Sequence, residues 1–251
     1  MNVVAENWKT LLAEIGQECA RNGRDAKEAR EAKEVRVVAV SKRQDFSRVK
    51  DLLLEDSFSG DLGENYLDGL ISRRREVKLF LEELETTGQE SLASSIREKL
   101  RWHFIGSIQS RKLKEICEVA HVLHGVSREK ELNILSSLAS DNGTCPQFFV
   151  QVNISGETSK SGLSVSEVAA FMKEITELNL SKLCCGFMGM AAPVEVVGKE
   201  QVRKQFESLR LHRDQHLLGK SLSMGMSGDY QLAIAEGATH IRVGTSVFGA
   251  R

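Results

Sequence analysis

The 251-residue chain has little proline and no excess of charge of either sign. It contains two prolines, and 34 Lys and Arg residues are balanced by 35 Asp and Glu residues, so the formal net charge is −1. Few prolines and no low-complexity tract argue against several domains joined by linkers. Without a basic excess or an acidic block, we expect neither a nucleic-acid partner nor a disordered acidic tail.

Long apolar runs are also missing. No stretch approaches the length that crosses a bilayer, and no basic region followed by an apolar core marks a secretory signal. We therefore expect no membrane partner and a cytoplasmic location, with an organellar location left open. The five cysteines are odd in number and lack zinc-ligand spacing, so we expect free thiols and no bound metal.

What the sequence does contain is an alternation of short apolar runs and amphipathic stretches. Residues 1–34 are predicted to form an extra N-terminal helix and a charged connector. Eight apolar runs follow, with a predicted helix between each and the next. The predicted strands are Val35–Lys42, the segment SFSGDLGENY, Trp102–Gly106, His121–Val126, Gln147–Asn153, Leu183–Met188, Ser221–Met226 and Thr239–Val243.

Eight successive βα units predict an α/β fold, namely a single (β/α)8 TIM-type barrel that takes up residues 1–251. A doubly wound open sheet is the alternative, but no predicted strand is followed by the G-x-G-x-x-G motif. In a barrel of this type, the functional groups lie at the carboxyl ends of the strands, at the mouth of the barrel.

Several residues at these strand ends suit the binding of a phosphorylated aldehyde. Lys42 ends the first strand, whereas Ser227, Gly244 and Thr245 follow the last two, where small residues and hydroxyl groups can approach an anion. Arg242 alternates with Gly244, so we expect it to point into the mouth, where it needs an acceptor. This set suits pyridoxal phosphate or a sugar-phosphate aldolase in which Lys42 forms a Schiff base with substrate.

The same residues lie in sequence blocks that run in order along nearly the whole chain from residue 35. The blocks are VVAVSK, GENY, WHFIGSIQSRK, VQVNISGETSKSG, LSMGMSGDY and HIRVGTSVFGAR. Together they resemble the pyridoxal phosphate homeostasis protein family. The resemblance implies a barrel like the N-terminal domain of alanine racemase, with pyridoxal 5′-phosphate held on Lys42 as an internal aldimine.

The resemblance also assigns further residues to the cofactor site. Ser227, Gly244 and Thr245 would hold the phosphate, and Arg242 would face the pyridine nitrogen. The site would be lined in addition by Asn65 and Ile105. The chain departs from the family pattern in a longer charged segment, residues 78–99, which we expect to be an insertion on the barrel surface.

The family's likeness to a racemase makes catalysis an alternative to a carrier role. Racemisation needs a base on each face of the bound amino acid, and the related racemase takes one of them from a partner subunit with an additional β-domain. This chain ends eight residues after Val243, so we expect no such domain. An arginine at the ring nitrogen also keeps that nitrogen unprotonated, which weakens the ring as an electron sink.

We therefore expect a protein of pyridoxal phosphate homeostasis that holds the cofactor without significant catalysis and has no catalytic residue. An amino-acid racemase or another weak enzyme dependent on pyridoxal phosphate is the alternative. Expected partners are the cofactor and, as acceptors, apo-enzymes that require it; we expect a monomer.

Other polar residues receive structural interpretations. The basic run 73–75 predicts a solvated helix face, and Asp61 and Glu64 are interpreted as loop caps. His103 is interpreted either as a structural histidine or as a residue that stacks near the ring. Lys160, in a loop rich in Gly and Ser, leaves open a second cofactor molecule or a solvated lid.

Overall fold

The computed structural model describes residues 2–23, 35–142, 145–157, 160–217 and 219–250. Eight parallel strands hydrogen-bond in sequence order, and the last pairs with the first, so the sheet closes into a barrel. The predicted (β/α)8 barrel is confirmed, and the open sheet is excluded. The strands are β1 Arg36–Val40, β2 Asp61–Glu64, β3 Arg101–Phe104, β4 Val122–Val126, β5 Gln147–Val152, β6 Cys184–Gly189, β7 Ser221–Ser223 and β8 His240–Val243.

Helices follow the strands and cover the outside of the barrel. The extra N-terminal helix is present and buries Trp8, whose ring packs edge-on against Phe58 and whose N–H donates to Ser57 Oγ. The connector 24–34 lies outside the described residues. The helices are α1 Val3–Arg21, α2 Phe46–Leu53, α3 Leu67–Thr86, α4 Glu90–Lys99, α5 Leu113–Val119, α6 Glu129–Asn142, α7 Val168–Glu177, α8 Val194–His216 (interrupted at Gly198), α9 Tyr230–Ala235 and α10 Thr245–Phe248.

The alternation of strand residues sorts side chains between the helices and the barrel interior. On β1, Val37 and Ala39 belong to the main apolar core beneath the helices. Val38 faces inward, because a Cβ added at Gly63 on β2 would lie 2.8 Å from its side chain. Continuing this alternation past the end of the strand places Lys42 on the interior side, at the mouth.

The strand β7 ends earlier than predicted. The predicted strand runs to Met226, but Gly225 has a φ of +96°, a conformation that favours glycine. A Cβ at this position would also lie 2.7 Å from Ala233 Cβ on α9. The chain therefore turns at Gly225 and brings the following residues to the rim of the barrel.

Residues 78–99 form the end of α3 and all of α4. The apolar side chains of Phe80, Leu84, Ala93 and Ile96 are buried in the main core, and thus the segment packs firmly on the side of the barrel. That it is an insertion relative to the family stays a prediction.

The barrel interior is unusually polar for this fold, whose centre is typically filled by layers of branched apolar side chains. An interior apolar cluster consists of Val122, Phe149 and Met188. The other buried interior groups include Asp61, His103, His124, Gln151, Ser223 and Arg242. Because a buried polar group is costly unless it is hydrogen-bonded, these side chains must satisfy one another.

The interior histidines should make stability depend on pH. Burial lowers the pKa of His103 and His124, and lowers that of His240 to about 3. The unfolded chain binds protons near the ordinary histidine pKa while the folded chain does not, so stability is lost as the pH falls below about 6.5. Between about pH 7.5 and 5.5 we expect the free energy of unfolding, measured with urea, to fall by about 1.4 kcal/mol through His240, with further losses through His103 and His124.

Buried carboxyl groups stabilise the folded chain as the pH falls, and this offsets part of the stability lost through the histidines. Burial raises the pKa of Glu64, Glu131 and Asp229, so these groups bind protons in the folded chain before they do so in the unfolded chain. The control is His240→Gln, which removes one titration and should lose less stability over the same interval. Equal unfolding free energies of the unaltered protein at the two pH values would contradict the prediction.

None of the described helices is long and apolar enough to span a lipid bilayer. No disulfide bond joins any of the five cysteines, all of which lie within the described residues. Within the same residues, no group of three or more His, Cys, Asp or Glu side chains is arranged to hold a metal ion.

Candidate functional site

A cavity of about 480 Å³ opens at the carboxyl ends of the strands. We call it the mouth cavity. It brings together residues that are far apart in the sequence, and all seven residues predicted for the site line it: Lys42, Asn65, Ile105, Ser227, Arg242, Gly244 and Thr245. Their individual roles stay predictions.

Lys42 reaches the cavity from a tight turn directly after β1. The N–H of Gln44 donates to the carbonyl of Ser41 at 3.0 Å, and Arg43 adopts a left-handed conformation with φ of 57°. Within the described residues, the Lys42 ammonium group has no hydrogen-bond or salt-bridge partner. The turn therefore presents an amine whose donors are not used by any of the described residues.

A buried ion pair between Glu64 and Arg73 supports this turn. The hydroxyl of Ser41 donates to Glu64 Oε1 at 2.7 Å, and Arg73 Nε lies 3.8 Å from the same oxygen. Arg73 also donates to the carbonyls of Ser41 and Gln44, at 3.2 and 2.6 Å, and to Glu76 at 2.9 Å. We call Ser41, Glu64 and Arg73 the turn support.

The turn support corrects two interpretations from the sequence. Arg73 is buried, so the prediction of a solvated face is wrong for this residue, although Arg75 is exposed. Glu64 does not cap its loop but binds the neighbouring strand end. Burial raises the pKa of the Glu64 carboxyl, against the hydrogen bond from Ser41 and the positive charges of Arg73 and Lys42, which lower it.

Asn65 lines the mouth cavity together with Lys42. Its Oδ1 atom is buried and has no hydrogen-bond partner in the described part of the chain. The backbone beside it leaves no room for a side chain at Gly106, because a Cβ there would lie 2.0 Å from the Asn65 carbonyl oxygen. Ile105, just before this glycine, also lines the cavity.

Two adjacent turns form the other wall. Asp229 accepts the N–H of Met226 at 2.6 Å, which holds the turn that carries Ser227. The N–H of Ser246, in the first turn of α10, donates to Ser227 Oγ at 3.4 Å. Because the first N–H groups of a helix have no partner within the helix, this N–H finds its acceptor in the Ser227 hydroxyl, and the two turns are held together at the cavity wall. Gly244 opens this helix close to Val40, whose carbonyl oxygen would lie 3.2 Å from an added Cβ.

Arg242 enters the cavity from the barrel interior. It is buried and donates to Ser223 Oγ at 2.6 Å and to the carbonyl of Gly189 at 3.1 Å. The sequence predicted that Arg242 needs an acceptor. It has two, the Ser223 hydroxyl on β7 and the Gly189 carbonyl on the neighbouring β6. Burial lowers the pKa of Arg242 to about 10, although the Asp229 charge acts to raise it.

Lys160 does not line the mouth cavity. Its ammonium group forms an ion pair with Glu157 at 2.7 Å and donates to the carbonyl of Ala191 at 3.0 Å. The neighbouring Ser159 lies outside the described residues. These contacts restrain Lys160 beside the loop, and a second cofactor molecule there stays an open question.

The cavity combines an amine that has no partner in the described ranges with hydroxyl, amide and guanidinium groups. Such a set can bind an anion and attack an aldehyde at the same time. Sequence reasoning missed the turn support and the partners of His103 and His124. The available signal was the alternation of the strands, which places Asp61 and His103 inside the barrel and Glu64 outside it.

Comparison with known proteins places the chain in a family. The family model for the N-terminal domain of alanine racemase matches residues 17–251. The pyridoxal phosphate homeostasis protein of Pseudomonas aeruginosa is 34% identical over 255 residues, which cover 100% of this chain and 97% of that relative.

Solved structures agree with this assignment. PipY of Synechococcus elongatus PCC7942, with pyridoxal phosphate bound, superimposes with a TM-score of 0.68 at 25% identity and covers 98% of this chain and 100% of PipY. Alanine racemase of Bartonella henselae shares the fold, with a TM-score of 0.64 at 12% identity over 100% of this chain and 60% of the racemase. The chain thus belongs to the pyridoxal phosphate homeostasis protein family, whose barrel is that of the alanine racemase N-terminal domain.

Proposed function

We propose that this protein binds pyridoxal 5′-phosphate in the mouth cavity and serves the homeostasis of this form of vitamin B6 as a carrier without significant catalysis. The observation that carries the proposal is the unpaired Lys42 amine in one cavity with Ser227 and Thr245 hydroxyl groups and the Arg242 guanidinium. The PipY structure with pyridoxal phosphate bound supports the cofactor-binding part of this proposal.

The residues present fit the cofactor. Lys42 would bind its aldehyde carbon, Ser227 and Thr245 would donate to its phosphate, and Arg242 would face its ring nitrogen. The buried Asn65 Oδ1, which has no partner among the described residues, would accept a hydrogen bond from a donor of the bound molecule, and Gly244 and Ile105 would complete the walls. When bound, pyridoxal phosphate supplies an aldehyde that reacts reversibly with amines and a ring that draws electrons from the adjoining carbon.

The composition of the cavity supports a carrier rather than a racemase. A racemase needs two groups that exchange protons on opposite faces of the amino acid, whereas among the described residues Lys42 is the one amine that lines the mouth cavity. No His, Tyr, Cys, Asp or Glu side chain lines it within the described residues. Arg242 would also disfavour protonation of the ring nitrogen, because two adjacent positive charges repel.

The test is proton exchange at Cα. Protein loaded with pyridoxal phosphate is incubated with common amino acids in deuterium oxide, and deuterium incorporation is followed by NMR. We expect no more exchange than free pyridoxal phosphate produces. Rapid exchange that is lost in Lys42→Ala would establish the racemase-like alternative, and a protein that stays colourless with the cofactor would exclude both.

A carrier must also release its cargo. We infer that the acceptors are apo-enzymes that require pyridoxal phosphate, and that the carrier acts as a cytoplasmic monomer. Loaded protein should restore activity to such an apo-enzyme, and light scattering should give the mass of one chain.

Replacement of Ser227 by alanine should weaken cofactor binding, because one hydrogen bond to the phosphate is lost and no other contact with the cofactor changes. A hydrogen bond to a charged group contributes about 1.5–3 kcal/mol, so we expect the Kd for pyridoxal phosphate to rise by about 10- to 100-fold in Ser227→Ala. The Kd for pyridoxal, which lacks the phosphate, should not change. Both are measured by absorbance titration.

The matched control is Ser107→Ala, because Ser107 lines the same cavity without belonging to the two anion-binding turns. It should leave both dissociation constants within about twofold, as exposed substitutions usually have small effects. Equal losses of pyridoxal and pyridoxal phosphate in Ser227→Ala would contradict the assignment of Ser227 to the phosphate.

A further inference from the structure

A continuous hydrogen-bonded chain of five side chains crosses the barrel interior. Asp61 Oδ1 lies 2.8 Å from His103 Nε2, and His103 Nδ1 lies 2.9 Å from His124 Nε2. His124 Nδ1 lies 2.8 Å from Ser223 Oγ, to which Arg242 donates at 2.6 Å. None of the five residues is more than 5% exposed. We call them the interior chain.

The interior chain joins the two faces of the barrel. Arg242 lines the mouth cavity at one end. At the other end, Asp61 lies 3.4 Å from the guanidinium of Arg36, which begins β1 and has a 44% exposed side chain. Ser59 donates to the second oxygen of Asp61 at 2.8 Å.

The end at Arg242 permits one direction of the hydrogen bonds but does not by itself impose it. A guanidinium group can only donate, so Ser223 accepts from Arg242 and its own hydrogen is available for His124 Nδ1. If Ser223 donates this hydrogen, that nitrogen carries none, and in a neutral imidazole the hydrogen is then on Nε2. In that arrangement His124 donates from Nε2 to His103 Nδ1.

The end at Asp61 imposes the same direction. Burial alone would raise the pKa of the Asp61 carboxyl, but the hydrogen bonds from His103 and Ser59 and the Arg36 charge lower it, which keeps the group ionised. An ionised carboxylate only accepts, so His103 donates from Nε2 and its Nδ1 is free to accept from His124. The two ends are thus consistent with one proton arrangement.

Both histidines are held neutral. Burial lowers the pKa of His103, against Asp61, which raises it. Burial also lowers the pKa of His124, and the positive charge of Arg242 acts in the same direction. Arg101 and Arg36 add repulsion on His103.

We propose that the interior chain positions the Arg242 guanidinium at the mouth cavity, and that Asp61 is a positioning residue which acts through two neutral Nε2–H histidines. The carboxylate gives every hydrogen bond the same direction, and Ser223 and Gly189 then hold Arg242 at two acceptors. The contact of Arg242 with the cofactor rests on the proposed function, whereas the proton arrangement does not require the cofactor.

The first experiment uses the cofactor-free protein. NMR of labelled imidazole nitrogens at neutral pH, assigned with His103→Gln and His124→Gln, should show a hydrogen on Nε2 and none on Nδ1 in both rings. Asp61→Asn keeps the shape but removes the charge, so His124, two links away, should become a mixture of tautomers. Ser59→Ala, which leaves the interior chain intact, should not change the tautomers.

The second experiment measures cofactor binding. Ser223→Ala removes the hydroxyl that accepts from Arg242. It should raise the Kd for pyridoxal phosphate about tenfold, since a hydrogen bond to a charged group is lost. Ser223→Thr keeps the hydroxyl and should recover most of the affinity. Ser136→Ala, which removes a hydroxyl bonded to the Leu178 carbonyl between outer helices, should have no effect on binding.

The outcomes separate the two proposals. A doubly protonated histidine, an Nδ1–H tautomer, or unchanged tautomers in Asp61→Asn would overturn the interior chain, even if pyridoxal phosphate binds. Equal affinity of Ser223→Ala and the unaltered protein would overturn its role in positioning Arg242. Failure of the unaltered protein to bind pyridoxal phosphate would overturn the proposed function and leave the NMR result as independent support for the proton arrangement.

Discussion

Lys42→Ala should abolish covalent attachment of pyridoxal phosphate. Attachment requires an amine that can reach the aldehyde, and Lys42 is the amine that lines the mouth cavity in the described part of the chain. Borohydride reduction of the loaded protein, followed by peptide mapping, should give a label on the peptide containing Lys42 and no comparable label in the variant. The yellow absorption of the loaded protein should be lost with it.

The same variant should fold normally. The Lys42 side chain makes no hydrogen bond or salt bridge to the described residues, so its removal should change the free energy of unfolding by no more than about 0.5 kcal/mol. Lys160→Ala is the matched control, because Lys160 already has partners in Glu157 and Ala191. A label that persists in Lys42→Ala and disappears in Lys160→Ala would overturn the assignment.

Arg73→Met should be the most destabilising of the substitutions considered for this protein. It removes the cation beside the buried carboxylate of Glu64 and the donors to the carbonyls of Ser41 and Gln44. Removing one partner of a buried ion pair typically costs about 3–5 kcal/mol. Urea unfolding should show a loss of that size, and cofactor affinity should also fall because the turn that carries Lys42 loses its support.

Two variants test the cause of this loss. Arg75→Met removes an exposed arginine of the same helix and should have little effect on stability. Glu64→Gln in the Arg73→Met background removes the uncompensated charge, so the double variant should be more stable than Arg73→Met alone. The single variant Glu64→Gln completes the comparison. If the stability lost in the double variant equals the sum of the losses in Arg73→Met and Glu64→Gln, the ion pair does not hold the turn.

Some parts of the site could be predicted because they depend on local pattern. Lys42 ends an apolar strand, and Arg242 alternates with Gly244, so the direction of each side chain follows from the period of a strand. Ser227 and Thr245 could be placed at the mouth because they follow the last two strands of a barrel, and their anion-binding role stays a prediction. All of these residues line the mouth cavity.

Other parts depend on partners that the local pattern does not show. The run 73–75 reads as three equivalent solvated arginines, yet Arg73 is buried because the helix packs against the carboxyl end of β2 and Glu64 lies there. From the sequence, His103 is either a structural histidine or a residue that stacks near the ring. Its buried contacts with Asp61 and His124 favour the structural role.

By itself, the amino-acid sequence determined the number and order of the strands, the inward direction of the site residues and the family, because each is recorded in local periodicity or in contiguous blocks. Only the tertiary structure decided which polar groups meet. His124 and Ser223 are 99 positions apart, and barrel closure brings them within hydrogen-bond distance. Burial of a polar group shows that it needs a partner, but the partner's identity depends on the register of strands across the barrel.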